Sequence, residues 1–212
     1  MKVIDPYALI LTPFDSVNID RLLQSIEFAG RTCYKSEDKI STESARHFVR
    51  DIVQVKHHES VIEHVSVSVQ FTVDRGVSHE LVRHRLASFS QESTRYCNYS
   101  KAKFGGEITL IRPCFFEPDS RGYLVWEEAC HTAERSYLQL LMFGRSAQEA
   151  RSVLPNSLKT QLVMTANLRE WRHIFKLRTA KAAHPQMRQV MIPLLIDFRC
   201  ALPEVFDDIV EG

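Results

Sequence analysis

Apolar residues recur at helical spacing along much of this chain. The clearest case follows Ser41 or Thr42, either of which can cap a helix, and its apolar positions obey the i, i+3, i+4, i+7, i+8 rule. An earlier helix is predicted from about Asn18, and it should end near Gly30 because glycine readily adopts the conformation that closes a helix. Further helices are predicted at residues 121–143, 146–154, 167–178 and 185–202.

One segment alternates apolar and polar residues at the period of a strand. From Val65 to Val73 every second residue is valine or phenylalanine, so this strand should be half buried and antiparallel. The triplet Asp74-Arg75-Gly76 should break it, and Ser78 can cap a short helix that follows. Weaker strand patterns occupy residues 3–12, 107–111 and 158–166.

These elements together predict an α+β fold, with a mostly antiparallel sheet flanked by helices. The chain has 212 residues, which is enough for one large domain with a proper core or for two small domains. No repeat, low-complexity tract or linker divides it. We therefore expect a single domain over residues 1–212.

Charge and composition argue against several classes of protein. The formal net charge is +1, whereas a general nucleic-acid binder usually carries a strong basic excess. Positive charge that is concentrated locally instead favours a small anionic ligand. The apolar patch near the N-terminus is only about five residues long, too short for a signal peptide or a membrane span, so we expect a cytoplasmic protein.

Cysteine and glycine usage narrows the chemistry further. Five scattered cysteines form neither a CxxC pair nor a metal-like spacing, which fits free thiols in a reducing compartment. Cys114 follows a proline, and we interpret it as an inert buried thiol. The seven glycines form neither GxGxxG nor a P-loop, so a nucleotide cofactor would be held by side chains and helix ends.

The densest group of candidate binding residues lies between Arg83 and Tyr96, in the sequence RHRLASFSQESTRY. Arginine is a planar, permanently charged donor suited to bidentate contact with phosphate or carboxylate. The hydroxyls and backbone amides nearby can fill the remaining acceptor positions of a phosphate. The structural alternative is a solvated helix end that runs into a polar loop.

A second candidate region is the helix that begins at Asn167, where Glu170 three residues later completes an N-terminal capping pair. One helical face carries the apolar residues Leu168, Trp171, Ile174 and Phe175. The other face carries Arg169, Arg172, His173 and Lys176. Arg178 falls inside the apolar stripe, where an unpaired guanidinium is costly, so it must escape at the helix end or meet an anion.

The segment from His57 to His64 concentrates titratable groups and raises the question of a metal site. His58 and His64 are six residues apart, about 240° around a helix, unlike the i, i+4 histidines of HExxH. A site that uses Glu59 or Glu63 with one histidine stays open, as does a purely structural role in capping or pairing.

Two further alternatives concern the arginine-rich stretch itself. Ser93 or Cys97 could act as a nucleophile with a nearby histidine as base, although no GxSxG elbow is present. Arginine and aromatic residues interleave over 83–104, which could serve a non-catalytic nucleic-acid-binding protein. The near-zero net charge and the lack of an RNP-type strand argue against this rival.

The spacing RHR, seven residues, Ser, one residue, Arg resembles the signature of the flavin-dependent thymidylate synthases. The similarity extends over about residues 20–195, and the segments 58–60 and 63–64 match the family's HET…EH pattern. The resemblance implies that ten residues bind FAD: His58, Ser60, Glu63, Arg83, His84, Arg85, Gln91, Asn167, Arg169 and His173.

The same resemblance implies a dUMP site built from Glu80, Gln91, Glu92, Ser93, Thr94, Arg95, Arg151 and Arg178. Arg151 matches the arginine of the family's ARxxLP segment. Arg178 matches the catalytic arginine credited with polarising the uracil ring. Two departures stand out, because Cys33 lies where some relatives have serine and Gln91-Glu92 lies where others have Glu-Gln.

In function, the resemblance implies an enzyme that converts dUMP into dTMP. Methylenetetrahydrofolate would donate the methylene group, FAD would carry the hydride and NADPH would be the reductant. The family's sites lie between subunits of a homotetramer. We expect no metal, no cysteine nucleophile, and neither nucleic acid nor a membrane as partner.

Overall fold

Six β-strands form two sheets in the computed structural model, which describes residues 1–212. Strands β1 (Lys2–Ile4) and β5 (Thr109–Ile111) pair in parallel, with Lys2 opposite Thr109. The other sheet has the order β2-β3-β6-β4 and is antiparallel, with β2 Tyr7–Ile10, β3 Ser66–Asp74, β4 Ala87–Gln91 and β6 Lys159–Asn167. The α+β prediction with a mostly antiparallel sheet is confirmed.

The strand predicted at residues 3–12 is instead two strands that join different sheets. β1 ends at Ile4 and β2 begins at Tyr7, so Asp5 and Pro6 separate them. Proline has no backbone N–H and cannot donate to a strand ladder, which explains the break. The predictions for 65–73, 107–111 and 158–166 are confirmed, with small shifts at their ends.

The chain also forms eight α-helices. Their bounds are α1 Ser16–Tyr34, α2 Ser44–Arg50, α3 Arg75–Leu81, α4 Arg121–Met142, α5 Ala147–Ala150, α6 Leu168–Arg178, α7 Pro185–Ala201 and α8 Pro203–Phe206. A 3₁₀ turn over Arg151–Val153 extends α5, and the two elements together occupy most of the helix predicted at 146–154. The predictions for 121–143, 167–178 and 185–202 are confirmed.

The prediction that the first helix ends at Gly30 is wrong. α1 continues to Tyr34, and Lys35 closes it in the left-handed conformation with φ 47°. Gly30 is needed for a different reason. A Cβ at this position would lie 2.6 Å from ring carbons of Phe48 on α2, so a larger residue would force the Phe48 ring to move.

The predicted caps of the second helix, Ser41 and Thr42, are also wrong. α2 begins at Ser44 after Glu43, which makes no side-chain capping bond. The Ser44 hydroxyl donates to the buried carboxylate of Glu27 (2.8 Å), a partner 17 residues away that no local pattern reveals. Beyond α2 a π-helical turn covers Asp51–Val55, and the apolar stripe predicted from spacing is largely buried.

The helix that precedes the arginine-rich stretch begins earlier than predicted. Asp74, not Ser78, caps α3, accepting a hydrogen bond from the Val77 backbone N–H (2.8 Å). Ser78 is buried inside the helix and donates to the carbonyl of Arg75 (2.9 Å). The helix therefore ends at Leu81, and the sequence predicted as a helix end and loop holds a turn followed by β4.

The polar face predicted for α6 is wrong at one position, Arg172. Its side chain is 1% exposed and is enclosed by anions. The guanidinium donates to Glu59 (3.0 Å) and, through two nitrogens, to both oxygens of Asp208 (2.6 Å each), as well as to the carbonyl of Val205. Arg178, which the wheel placed in the apolar stripe, is only half-buried.

The chain divides into two compact units, whose segments interleave along the sequence. The first comprises Met1–Tyr7, Phe71–Arg83 and Ser90–Val163, and the second comprises Ala8–Gln70, His84–Phe89 and Met164–Gly212. The first unit has a core around Tyr99, Leu110 and Tyr137. The second has an aromatic core of Trp171, Phe175, Phe198 and Phe206. The single domain expected over residues 1–212 stays a prediction.

Two remaining predictions concern the state of the cysteines and the possibility of a membrane-spanning helix. All five cysteines are free thiols, but Cys114 is exposed, so its predicted burial is wrong. The helices include none that is both long enough and apolar enough to cross a membrane.

Candidate functional site

The arginine-rich turn alternates exposed and buried side chains. Arg83 and Arg85 are exposed, whereas His84 between them is buried at 5% exposure. Three consecutive residues in a tight turn cannot all point the same way, so the histidine faces inward and the two guanidiniums face solvent. Each of the two guanidiniums is thus accessible to a ligand, and the imidazole lies in the interior of the second unit.

In the second unit, His84 meets residues from both ends of α6. The Nε–H of Arg178 donates to His84 Nε2 (3.0 Å), and a carboxylate oxygen of Glu170 lies 3.5 Å from His84 Nδ1. The ring of His173 stands nearly perpendicular to that of His84, with centroids 6.1 Å apart. Burial, the Arg178 guanidinium and His173 lower the pKa of His84 to about 4, so the ring is neutral near pH 7.

A cleft of about 530 Å³ opens beside this network in the second unit. It is lined by Glu59, Glu63, Leu86, Asn167, Arg169, Glu170, His173 and Lys176. Arg169 binds Glu63 (2.5 Å) and approaches Glu59 (3.8 Å), which Lys176 also approaches (3.8 Å). The acids of the cleft are therefore largely balanced by cations.

The predicted capping pair of Asn167 and Glu170 is confirmed for the Asn167 side chain only. Its side chain accepts a hydrogen bond from the Glu170 backbone N–H (2.8 Å), while the Glu170 side chain turns toward His84. The cap fixes the first turn of α6 at the cleft, which Asn167, Arg169 and His173 line together.

His58 lies on a different cleft of the same unit, with a volume of about 610 Å³. Its Nδ1 is 2.7 Å from the hydroxyl of Tyr34, and the two rings are nearly parallel. Ser60, two residues later, is exposed. The π-helical turn over Asp51–Val55 and the left-handed His57 (φ 57°) precede this point, and such irregular backbone is enriched at functional sites.

In the first unit, Gln91 and Glu92 use their side chains internally. Gln91 donates to the hydroxyls of Ser78 (2.9 Å) and Thr160 (3.2 Å). Glu92 has both oxygens occupied, one by the Tyr99 hydroxyl (2.8 Å) and the other by the Lys159 ammonium (2.7 Å). Both residues therefore hold the end of β4 in place, and their proposed contacts with a ligand need these bonds to be exchanged.

Arg151 and Thr94, far apart in sequence, meet in the first unit. The Arg151 guanidinium donates to the Thr94 hydroxyl (3.3 Å) at a cleft of about 570 Å³. Arg75 and His79 line the same cleft. These two were missed by the sequence analysis because the helix was started at Ser78. With α3 beginning at Arg75, they are i and i+4 on one helical face, a spacing that would have paired them.

The remaining dUMP candidates are placed around this part of the first unit. Ser93 is half-buried, and its hydroxyl accepts from the Arg95 backbone N–H (3.3 Å). Arg95 is exposed, with its guanidinium 5.5 Å from the centroid of the Tyr96 ring. Glu80, in α3, is half-buried.

Several arginines at or beside the candidate sites lack the ion pairs that most other arginines of the chain form. Arginines such as Arg112, Arg135 and Arg199 form ion pairs with carboxylates of the protein. The arginines at positions 75, 83, 85, 95 and 151 form none. A guanidinium without an internal anion is available to an external one, so the donor set of each unit suits a phosphate-bearing ligand.

The chemistry of these donors fits FAD better than it fits a metal ion. Exposed guanidiniums and the capped N-terminal turn of α6 are suited to a pyrophosphate, which needs no Rossmann loop here. The cluster of His84, Glu170 and His173 has ligand atoms within 4.8 Å of one another. However, His84 already accepts from Arg178, and the guanidinium beside it disfavours a second cation.

The thiols are poorly suited to nucleophilic attack. Burial, followed by the nearby Glu92 carboxylate, raises the pKa of Cys97. Partial shielding of the thiol from water raises the pKa of Cys114, although the residue as a whole is exposed. A raised pKa reduces the thiolate fraction, which is the reactive form. The expectation that no cysteine serves as nucleophile is consistent with these shifts and stays a prediction.

Comparison with known sequences points to one family. The profile of the family described as thymidylate synthase complementing protein matches residues 19–204. The chain is 36% identical over 201 residues to the flavin-dependent thymidylate synthase of Mycolicibacterium vanbaalenii, covering 86% of this chain and 78% of that protein. It is 34% identical, with the same coverage, to the flavin-dependent thymidylate synthase of Mycobacterium tuberculosis.

Solved structures share the fold. The UMP/dUMP methylase PolB of Streptomyces cacaoi, solved with 5-Br dUMP, aligns with TM-score 0.77 at 22% identity over all of both chains. Thymidylate synthase X of Helicobacter pylori, solved with FAD and dUMP, aligns with TM-score 0.75 at 21% identity over 98% of this chain and 100% of that one. At these identities the likeness concerns the fold.

Proposed function

This chain belongs to the flavin-dependent thymidylate synthase family, and on that premise we propose that it converts dUMP into dTMP. Methylenetetrahydrofolate is the proposed methylene donor and NADPH the proposed reductant, with FAD as hydride carrier. The observation that carries the proposal is a set of four motif arginines, Arg83, Arg85, Arg95 and Arg151, that form no ion pair with a carboxylate of the protein.

The dUMP phosphate is assigned to the cleft of the first unit. Arg151 and Thr94 are already joined there, and Arg75 and His79 add two further donors to the same cleft. A phosphate dianion has acceptor positions for all four groups. Ser93 and Arg95, beside Thr94 in the chain, complete the proposed phosphate site, and Glu80, Gln91 and Glu92 are the proposed neighbours of the nucleoside.

FAD is assigned to Arg83, Arg85, the first turn of α6 and His58. When bound, FAD supplies hydride chemistry that no side chain of this protein can perform. The protein's part is to bind and orient: Arg83 and Arg85 neutralise phosphate charge, while Asn167, Arg169 and His173 present polar groups at one cleft. Ser60, Glu63, His84 and Gln91 are the other proposed members of this site.

Arg178 is the proposed catalytic residue, placed against the pyrimidine ring of dUMP. A guanidinium near N3 and O2 would stabilise the negative charge that develops as the ring is activated for attack on the methylene donor. With its Nε–H bound to His84, the planar group is held in one orientation before substrate arrives. We further propose a homotetramer, as the family resemblance implies.

Replacement of both Arg83 and Arg85 by alanine is expected to abolish FAD binding while the protein stays folded, because both side chains are exposed and unpaired. The flavin absorbance band near about 450 nm, a property of the cofactor, measures occupancy. The matched control replaces Arg135 and Arg145, two exposed arginines, and should keep the full band. A full band in the Arg83/Arg85 variant contradicts the assignment.

The same spectrum tests the proposed function. Wild-type protein should be yellow when FAD-replete and should form dTMP from dUMP with the folate and NADPH. A chain that bound single-stranded nucleic acid but neither FAD nor dUMP would instead support the rival class of a non-catalytic nucleic-acid-binding protein.

Replacement of Arg151 by alanine is expected to weaken dUMP binding by about 2–4 kcal/mol, the usual loss for one charge-assisted phosphate contact. Titration calorimetry with dUMP measures this directly. Arg145→Ala is the control, because Arg145 is exposed and its contact with Glu149 is long (3.9 Å). If deoxyuridine, which lacks the phosphate, loses as much affinity as dUMP in Arg151→Ala, the phosphate assignment is wrong.

A further inference from the structure

The hydrogen bond between Arg178 and His84 also determines which nitrogen of His84 carries the proton. An arginine Nε–H can only donate, so the His84 Nε2 that receives it at 3.0 Å must be an unprotonated acceptor. A neutral imidazole carries one proton, and here that proton must therefore lie on Nδ1. The orientation of Arg178 depends on His84 staying in this one tautomer.

The Nδ1 side of the His84 ring lies beside Glu170. A carboxylate oxygen of Glu170 lies 3.5 Å from Nδ1, and both side chains are almost fully buried. Glu170 is itself held in place, because its backbone N–H is bound to the side chain of the helix cap Asn167 (2.8 Å). Three side chains of the second unit therefore follow one another in space: the Glu170 carboxylate, the His84 imidazole and the Arg178 guanidinium.

A carboxylate at this point selects the tautomer, since an ionised carboxylate accepts hydrogen bonds and donates none. If the ring proton moved to Nε2, it would face the Arg178 N–H, and the unprotonated Nδ1 would face an anion. Both contacts would be repulsive. Carboxylates that orient the histidine ligands of metal sites act in the same way, and their loss typically lowers metal affinity or activity about 10–100-fold.

We propose that Glu170 is a positioning residue for Arg178, acting through the tautomer of His84. The proposal rests on the proposed function, because its kinetic consequence requires Arg178 to act on the pyrimidine. The role proposed here belongs to the Glu170 side chain, whereas the sequence pattern predicts only a role in the helix cap. The cap itself uses the backbone N–H of Glu170 and survives a change of side chain.

The test uses Glu170→Gln, which keeps the size of the side chain but replaces the pure acceptor by an amide that can also donate. With ¹⁵N-labelled histidine, NMR of the FAD-free protein distinguishes protonated from unprotonated ring nitrogens, and the His84 signals are identified by their loss in His84→Asn. Wild-type His84 should be protonated on Nδ1 alone. Glu170→Gln should show a mixture of tautomers or the Nε2 form.

The kinetic arm uses FAD-replete enzyme. In Glu170→Gln, kcat for dTMP formation should fall about 10–100-fold, with KM for dUMP and FAD occupancy close to wild type. The control Glu128→Gln removes an exposed carboxylate on α4 and should change neither. Wild-type kcat in Glu170→Gln, or a loss confined to KM or FAD occupancy, overturns the proposal.

The NMR arm stands independently of activity and of the variant's folding. A wild-type spectrum with His84 unprotonated at Nδ1 overturns the proposal by itself, even if Glu170→Gln cannot be purified. An unchanged tautomer in folded Glu170→Gln overturns it as well. Failure of the wild-type protein to form dTMP would instead contradict the proposed function, while the tautomer measurement would still decide whether Glu170 orients His84.

Discussion

The variant Arg178→Ala is expected to lose about 10²–10³-fold in kcat for dTMP formation, the usual effect of removing one donor from a developing negative charge. KM for dUMP should change less, because the contact is strongest in the transition state. Removal of the side chain also leaves His84 Nε2 without its donor, so the network that fixes the site is lost together with the charge.

Arg178→Lys should fail to restore kcat. An ammonium is a point charge and cannot place one N–H on His84 while a planar face of donors meets the pyrimidine. The control is Arg135→Ala on the surface of α4, which should keep wild-type kinetics. Steady-state kinetics that show a normal kcat for Arg178→Ala would remove Arg178 from the mechanism.

The second large effect concerns stability. Arg172→Met is expected to reduce the free energy of unfolding by about 3–5 kcal/mol, because it leaves the carboxylates of Glu59 and Asp208 without their buried cation. Methionine fills the space of the aliphatic stem, so the loss reports on the unpaired charges more than on a cavity. Urea denaturation of wild type and variant, with slopes compared, measures the change.

The matched control is Arg50→Met, which breaks an exposed pair with Asp207. That pair is 3.5 Å long, with half-exposed partners, and its loss should cost about 1 kcal/mol or less. If both variants lose the same free energy of unfolding, burial does not increase the contribution of the Arg172 ion pairs to stability, and the prediction is wrong. A further variant that replaces Arg172, Glu59 and Asp208 together by apolar residues should recover much of the stability.

Local patterns in the sequence determined much of the secondary structure. The alternation from Val65 to Val73 gives β3 because one face of the strand is buried, and period 2 is a property of the backbone itself. Asn167 caps α6 for an equally local reason, since the side chain reaches a backbone N–H only three residues away. The arginine-rich motif likewise identified the family before any tertiary contact was known.

Tertiary structure alone decided which charges are buried. A helical wheel gives the direction of Arg172 and Arg178 but not what stands opposite, and Arg172 is buried because Asp208, 36 residues away, meets it. Gly30 was misassigned for the same reason. The role of Gly30 depends on the Phe48 ring of another helix, whereas Ser78 was misassigned for a local reason, because Asp74 caps α3 four residues earlier.

The candidate site shows the same division. The sequence by itself determined which residue types suited to anions are present and how they are spaced in the motifs. Only the folded chain put Arg75 and His79 beside Arg151, and turned Glu170 from a helix cap toward His84. Backbone geometry is encoded within a few residues, whereas a side chain's partner depends on which distant segment packs against it, and that is a property of the whole fold.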